Sequence, residues 1–281
     1  MIALDQQKMG SPFENLSFLL TGSTGGIGSA LAVALAKQGA VLLLHGRDRH
    51  KLERLVEEVS AAGGRARPLV ADLASLAETA RLARTVASRG GVDVLVNNAG
   101  VGFGRDGTRR ETSRDGFELR FAVNYLAPFL LTEELLARGV PRRMVLNVAS
   151  AGQEEVDLSD LMTEQGYSGV RAYRRSKLAL IMATITWAPL HPSLQVQALH
   201  PGAYLDTGMV REARIAPLGP AQEGAESILA VMETALGGGE SGRYFDQDRP
   251  SKALAPAYDE GARARLREAS LALVSPFRTP G

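Results

Sequence analysis

Short runs that are apolar on consecutive positions, each followed by a stretch of helix length, constrain this chain more than any other feature. Leu16–Leu20, Val41–His45, Ala66–Val70, Val92–Val96, Met144–Val148 and Leu194–Leu199 are such runs. A strand with one wet face alternates apolar and polar residues. A run that is apolar throughout needs cover on both faces, as strands of a parallel sheet have. Residues 26–38, 48–62, 75–89, 114–137 and 171–188 carry helical patterning between and after the runs. Strand and helix in alternation imply a single doubly wound α/β domain, with a mostly parallel sheet and helices on both faces.

The length of 281 residues fits one such domain. Residues 1–14 read as an N-terminal extension and 15–281 as the domain. Two stretches break the rhythm: 151–170, an insertion rich in Glu and Asp, and 201–222, a loop holding Pro201, Gly202, Gly208, Pro217, Gly219 and Pro220. Both follow the C-terminal end of a predicted strand, where open α/β sheets bind ligands, and both are taken as substrate-side elements. A formal net charge of +1 leaves no electrostatic footprint for nucleic acid. The absence of cysteine excludes disulfides, thiolate zinc sites and cysteine nucleophiles. His45, His50, His191 and His200 show no metal-ligand spacing, so no metal is expected. Met1–Glu14 has no apolar stretch of a secretory signal, and Leu178–Leu190 is too short to span a bilayer and carries Pro189. A cytoplasmic protein without a membrane anchor is expected.

Thr21-Gly22-Ser23-Thr24-Gly25-Gly26-Ile27-Gly28 follows the first strand and opens the first helix. Glycines let a backbone turn tightly and approach a pyrophosphate, which then sits at the helix N-terminus. Tyr173 and Lys177 stand four apart on a predicted helix and project from one face. An ammonium near a phenol favours the phenolate, so Lys177 is expected to lower the pKa of Tyr173. Tuned in this way, a tyrosine exchanges a proton with a carbonyl or alcohol oxygen.

The T-G-x-x-x-G-x-G loop resembles the nucleotide loop of the short-chain dehydrogenase/reductase family, and further segments follow in that family's order over roughly residues 15–250. Asp72-Leu73 follows the third strand, and Asn97-Asn98-Ala99-Gly100 the fourth. Asn124, Ser150, the Tyr173/Lys177 pair and Pro201-Gly202 come next. The resemblance implies a Rossmann fold and a catalytic set of Asn124, Ser150, Tyr173 and Lys177. In that set Ser150 orients the substrate oxygen, Lys177 also holds the nicotinamide ribose, and Asn124 holds a relay water. Asn124 also reads as a structural helix asparagine. The resemblance places the cofactor against Gly22, Ser23, Thr24, Gly26, Ile27, Gly28, Asp72, Leu73, Asn98, Ala99, Gly100, Tyr173, Lys177, Pro201, Gly202 and Thr207. Thr207 lies one position later than the family's pattern. The stretch from Ser150 to Tyr173 is longer than in many members and resembles the retinol dehydrogenase-like branch. So do Leu199-His200-Pro201-Gly202, Ser241–Phe245 and a C-terminal helix near 257–274.

At the end of the second strand an acidic residue would select NAD by binding the ribose 2′-hydroxyl. Gly46 occupies that place and Arg47 follows, a guanidinium suited to a 2′-phosphate, so NADP(H) is expected in preference to NAD(H). Asp48 is expected to cap the next helix. Tyr204 and Met209 line the pocket or pack their own loop. Arg105, Arg109, Arg110, Arg114 and Arg120 read as a solvated loop and helix start. Trp187, Ile181, Ile185 and Leu190 read as core or as part of a homo-oligomer interface. The implied reaction is reduction of an apolar aldehyde or ketone, or oxidation of the matching alcohol. A nucleotide-sensing binding protein, and an epimerase or dehydratase using bound cofactor, stay open as rivals.

Overall fold

The computed structural model describes residues 11–278, so residues 1–10 of the expected extension lie outside the described residues. The chain alternates β1 (Ser17–Leu20), α1 (Gly26–Ala36), β2 (Val41–Gly46), α2 (Arg49–Ala61), β3 (Arg65–Val70), α3 (Leu76–Ser88) and β4 (Val94–Asn97). A composite helix follows: α4 (Leu119–Phe121), a π-turn (Ala122–Leu126) and α5 (Ala127–Leu136). Then come β5 (Met144–Val148), α6 (Gly169–Leu190), β6 (Gln195–His200), α7 (Gly208–Glu212), α8 (Ala221–Leu236), β7 (Tyr244–Asp246), β8 (Arg249–Ser251) and α9 (Glu260–Val274).

The strands form one 8-stranded sheet in the order β3-β2-β1-β4-β5-β6-β7-β8. Every pairing is parallel except β7 with β8. The order reverses between β1 and β4, and the crevice there opens at the strands' C-terminal ends. Successive strand residues serve opposite faces. Phe18, Leu20, Leu42, Leu44, Val94, Val96, Met144 and Leu146 join the core under α1, α2 and α8. Leu19, Leu43, Leu95 and Val145 join the core under α3, α5, α6 and α9. This two-sided burial is why the strands are apolar on consecutive positions. Phe13 is buried and meets Phe18 edge to face at 6.0 Å, so the first core contributes begin before β1.

Several boundaries differ from the sequence expectation for identifiable reasons. The helix expected over 114–137 begins at Leu119, because residues 111–118 close a turn of their own. There Ser113 N donates to Phe117 O and Leu119 N donates to Glu111 O. The Glu118 carboxylate then caps α4 by accepting from Phe121 N. α6 runs on to Leu190 and takes Pro189 into its last turn, one residue before it ends. The loop 201–222 is not wholly irregular, since Thr207 caps the short α7 by accepting from Val210 N. As expected, Asp48 caps α2, accepting from Lys51 N.

α9 lies on the face of α5 and α6 that the sequence left as either core or interface. Leu266, Ser270 and Val274 are buried there, Arg267 pairs with Glu133 at 2.5 Å, and Trp187 Nε1 donates to the same carboxylate at 2.8 Å. Trp187 stacks on Phe129 with centroids 5.7 Å apart, which makes it a core residue. Among the described residues no helix is long and apolar enough to cross a membrane.

Tyr125 Oη and Ser270 Oγ lie 2.7 Å apart between the π-turn and α9, and Ser270 Oγ also donates to Leu266 O. Ser270→Ala would leave a buried phenol without a partner, at about 1–3 kcal/mol. Tyr125→Phe leaves Ser270 its carbonyl partner and is expected to cost about 1 kcal/mol. In urea unfolding, the double variant should be more stable than the sum of the two losses predicts. Strict additivity would contradict this contact.

Candidate active site

The glycine loop is fixed from three sides at the mouth of the crevice. Thr21 Oγ1 donates to Val96 O and accepts from the N–H groups of Asn98 and Ala99. Asn98 Nδ2 donates to the carbonyls of Thr21 and Gly22. Ser23, fully buried, donates both its N–H and its hydroxyl to His45 O. A Cβ on Gly28 would fall 2.3 Å from Gly22 O, so no side chain fits where α1 closes on the loop. α1 has no side-chain cap on its first N–H groups. Those donors, with Gly22, Ser23, Thr24, Gly26 and Ile27 around them, form a cradle of the kind that holds an anion.

His45 underpins this loop, a part the sequence did not assign to it. Its Nδ1 accepts from Gly22 N at 3.3 Å and its Nε2 lies 3.1 Å from Ala71 O. An imidazole that accepts at one nitrogen and donates at the other is neutral. Burial holds its pKa down at about 4 against the usual 6.5, with the Ala71 carbonyl pulling the other way.

Gly46 and Arg47 stand at the end of β2. A Cβ on Gly46 would fall 2.6 Å from Thr24 Cγ2, so Thr24 packs directly on the end of β2. Arg47 is exposed. Asp72 is engaged locally: its Oδ1 accepts from Ala74 N at 3.0 Å and its Oδ2 pairs with Arg114 at 3.3 Å. Leu73 is buried beside it. Pro201 and Gly202 start the long loop, and Leu205 packs on Gly202. The loop folds back so that Thr207 Cγ2 lies 2.8 Å from where a Gly26 Cβ would be. Thr207 thus reaches the glycine loop despite its shifted position.

Asn124, Ser150, Tyr173 and Lys177 converge on the turn after β4. Asn124 sits on the π-turn, a local widening of the helix common at functional sites. It accepts from Val101 N at 2.8 Å and donates to Val101 O and Ser176 Oγ, both at 3.1 Å. It therefore clamps the turn to α6. A Cβ on Gly100 would lie 3.2 Å from Asn124 Oδ1 and 3.6 Å from Lys177 Nζ, which places both beside the same backbone. The Ser150 hydroxyl stands near enough to the Tyr173 phenol to favour its ionised form, while its oxygen accepts from Gly152 N at 3.0 Å. Lys177 Nζ donates to Val148 O at 2.8 Å and stands 5.7 Å from the centre of the Tyr173 ring.

The expected depression of the Tyr173 pKa is not what this geometry gives. Burial pushes the phenol above its ordinary value, and the Ser150 hydroxyl pulls it only partly back. Lys177 is itself held down at about 8 by burial, and it points at a carbonyl rather than at the phenol oxygen. At neutral pH Tyr173 is thus in its protonated form.

Three features lay beyond the sequence reading. Phe103 meets Tyr173 edge to face at 4.9 Å and 86°. Tyr244 Oη and Gln153 Nε2 both donate to Ser150 O, at 3.1 and 3.0 Å, and fix the backbone of that serine. Arg120, expected in a solvated helix start, is 1% exposed. It turns inward because Glu111, Glu118 and Tyr167 surround its guanidinium. Two acids of the 151–170 insertion are likewise paired: Glu154 faces Arg171 and Arg175, and Glu164 faces Arg110. Met209 packs on Gly102, its Cγ 2.5 Å from a Cβ position there.

Residues 17–217 match the family model described as short chain dehydrogenase. The chain is 35% identical over 266 residues to "Putative daunorubicin C-13 ketoreductase DnrU" of Streptomyces sp. (strain C5), with 91% of each chain covered. It is 33% identical to Retinol dehydrogenase 14 of Mus musculus, covering 96% of this chain and 89% of that one. Among solved structures, a metagenomic short-chain oxidoreductase in complex with NADP superposes with a TM-score of 0.64. That pair shares 27% identity over 86% of this chain and 100% of the other.

Neutral His45 makes the fold acid-sensitive. With a folded pKa of about 4 against 6.5 unfolded, the unfolded chain takes up the proton first. The stability that neutral His45 contributes is therefore complete above about 6.5 and is lost as pH falls toward about 4. At ~1.4 kcal/mol per unit, the loss is about 3 kcal/mol. Unfolding free energies of His45→Gln should fall less steeply over that window than those of the native chain. Equal slopes would contradict the assignment.

Proposed function

The chain belongs to the short-chain dehydrogenase/reductase family, in the branch of the retinol dehydrogenases, and from that premise we propose that it is an NADP(H)-dependent reductase of apolar ketones or aldehydes. Members of this family are oxidoreductases that act on carbonyl and alcohol groups. The observation that carries the reading is the Ser150–Tyr173 hydroxyl pair, set beside Lys177 and next to the glycine loop. A nicotinamide, when bound, supplies the hydride. The residues present fit it: uncapped N–H groups at α1 for the pyrophosphate, and Lys177 beside Gly100 for the ribose. Arg47, with no carboxylate partner among the described residues, suits a 2′-phosphate. Gly46 at the end of β2, where NAD recognition uses an acidic residue, supports NADP(H) over NAD(H).

In this reading Ser150 donates a hydrogen bond to the carbonyl oxygen, and Tyr173 gives its phenolic proton to that oxygen as the carbonyl carbon accepts the hydride. The phenol needs no prior protonation, because burial keeps it in the acid form at neutral pH. Lys177 then shares the charge left on the phenolate, and Asn124 holds the turn that both abut. Phe103 and Met209 make the surroundings apolar. The ketoreductase named among the relatives supports a ketone as the natural substrate. Because α9 covers the outer face of α5 and α6, we read the chain as acting without a dimer through those helices.

Initial rates of NADPH and NADH oxidation against a panel of aldehydes and ketones test this. Turnover with NADPH is expected, and Tyr173→Phe should lower it by roughly 10²–10⁴-fold while NADPH binding persists. Tight NADPH binding without turnover of any carbonyl would favour the nucleotide-sensing reading. Arg47→Gln should weaken NADPH binding by roughly tenfold to a hundredfold, the worth of one charge-assisted contact, and leave NADH binding nearly unchanged. Equal loss for both would contradict 2′-phosphate recognition.

A further inference from the structure

The buried Arg120 joins three segments: the loop after Gly100, the start of α4 and the end of the 151–170 insertion. Its Nε donates to Gly102 O at 3.0 Å and its Nη2 to Glu111 Oε2 at 2.6 Å, which grips the loop after Gly100 at both ends. Its Nη1 donates to Tyr167 Oη at 3.1 Å and faces Glu118 Oε1 at 3.5 Å. Tyr167 in turn donates to Glu118 Oε1 at 3.1 Å, and Glu118 caps α4. Tyr167 closes the 151–170 insertion just before α6 begins at Gly169. There Gly169 N donates to Gly107 O at 2.7 Å, and a Cβ on Gly169 would fall 2.2 Å from Phe103 O. Only a glycine lets the loop lie so close to the start of the catalytic helix.

Breaking one partner of a buried ionic cluster is expensive, so a loop held by one is rigid. What this one holds in place is Phe103. Its half-buried ring stands perpendicular to the ring of Tyr173, 4.9 Å away. Met209 packs on the adjoining Gly102 from the opposite loop. A fixed ring beside the acid/base gains contact with a flat, ring-bearing ligand at little entropic cost, whereas a flexible chain loses its own rotamer freedom to meet it.

We propose that Phe103 is a specificity-determining residue that selects flat, ring-bearing ketones over open-chain ones, and that Arg120 is the positioning residue that acts through it. This rests on the carbonyl-reductase reading for its substrate class. The test compares acetylnaphthalene with a straight-chain methyl ketone of the same carbon count, with NADPH as reductant. Phe103→Leu should cut kcat/KM for acetylnaphthalene roughly tenfold relative to the straight-chain ketone, through KM rather than kcat. Phe103→Tyr, which keeps the ring, should retain the native ratio. Tyr167→Phe, a mild lesion of the cluster, should raise KM for acetylnaphthalene in the same direction by a smaller factor and leave NADPH affinity unchanged. Equal effects on both ketones, or an unchanged ratio in Phe103→Leu, would overturn the proposal. Calorimetric binding of the two ketones to protein saturated with NADP+, a combination that cannot react, reads the same ratio without turnover. Native protein that binds acetylnaphthalene but reduces neither ketone sinks the reductase reading alone, and the binding ratio of Phe103→Leu then decides the proposal. No binding of acetylnaphthalene by the native protein overturns it.

Discussion

Thr21 and Asn98 tie the end of β1 to the end of β4 at the point where the strand order reverses, and the rest of the site hangs from that bond pattern. The turn that leaves β4 continues through Gly100 to Val101. Asn124 grips the Val101 backbone at both its N–H and its carbonyl. The same asparagine reaches Ser176, which lies between Tyr173 and Lys177 on α6. A continuous set of contacts thus runs from the glycine loop to the helix that carries Tyr173 and Lys177. The glycine loop and α6 are set relative to each other by side chains of Thr21, Asn98 and Asn124 that grip backbone and the Ser176 hydroxyl.

Burial, more than charge, sets the proton chemistry. It raises the Tyr173 phenol, lowers Lys177 to about 8 and lowers His45 to about 4. These shifts leave a protonated phenol beside a neutral serine hydroxyl and a neutral imidazole beneath the glycine loop. Several of the charges near the site are paired. Arg120 has Glu111 and Glu118, and the first turns of α6 have Glu154 and Asp157. Glu154 and Asp157 thereby tie the insertion to α6.

The strands were legible because a sheet covered on both faces writes its burial directly into consecutive apolar positions, as in Leu42 to Leu44. The glycine loop and the Tyr173/Lys177 pair were legible because close approach and helical spacing each restrict which residues can stand there. β7 and β8 were not read as strands, since three residues apiece carry too little periodicity, and Arg249–Ser251 is exposed throughout. Arg120 was misread for a different reason. An arginine in a run of arginines looks solvated, and its inward turn depends on Tyr167, far along the chain. The same holds for His45 and for Tyr244, whose partners lie in other strands and turns. The expected effect of Lys177 on Tyr173 failed because spacing on a helix fixes the face but not the direction of a long side chain.

The most direct measurement follows the hydride itself. NADPH deuterated at the transferable position of the nicotinamide ring would be mixed with a ketone that the protein reduces, and the alcohol analysed by mass spectrometry. One deuterium at the carbinol carbon, formed in step with cofactor oxidation and lost with Tyr173→Phe, is the expected result. A product that carries no deuterium, or that forms without net oxidation of the cofactor, would contradict hydride transfer to a carbonyl and point to isomerisation or dehydration on the same scaffold.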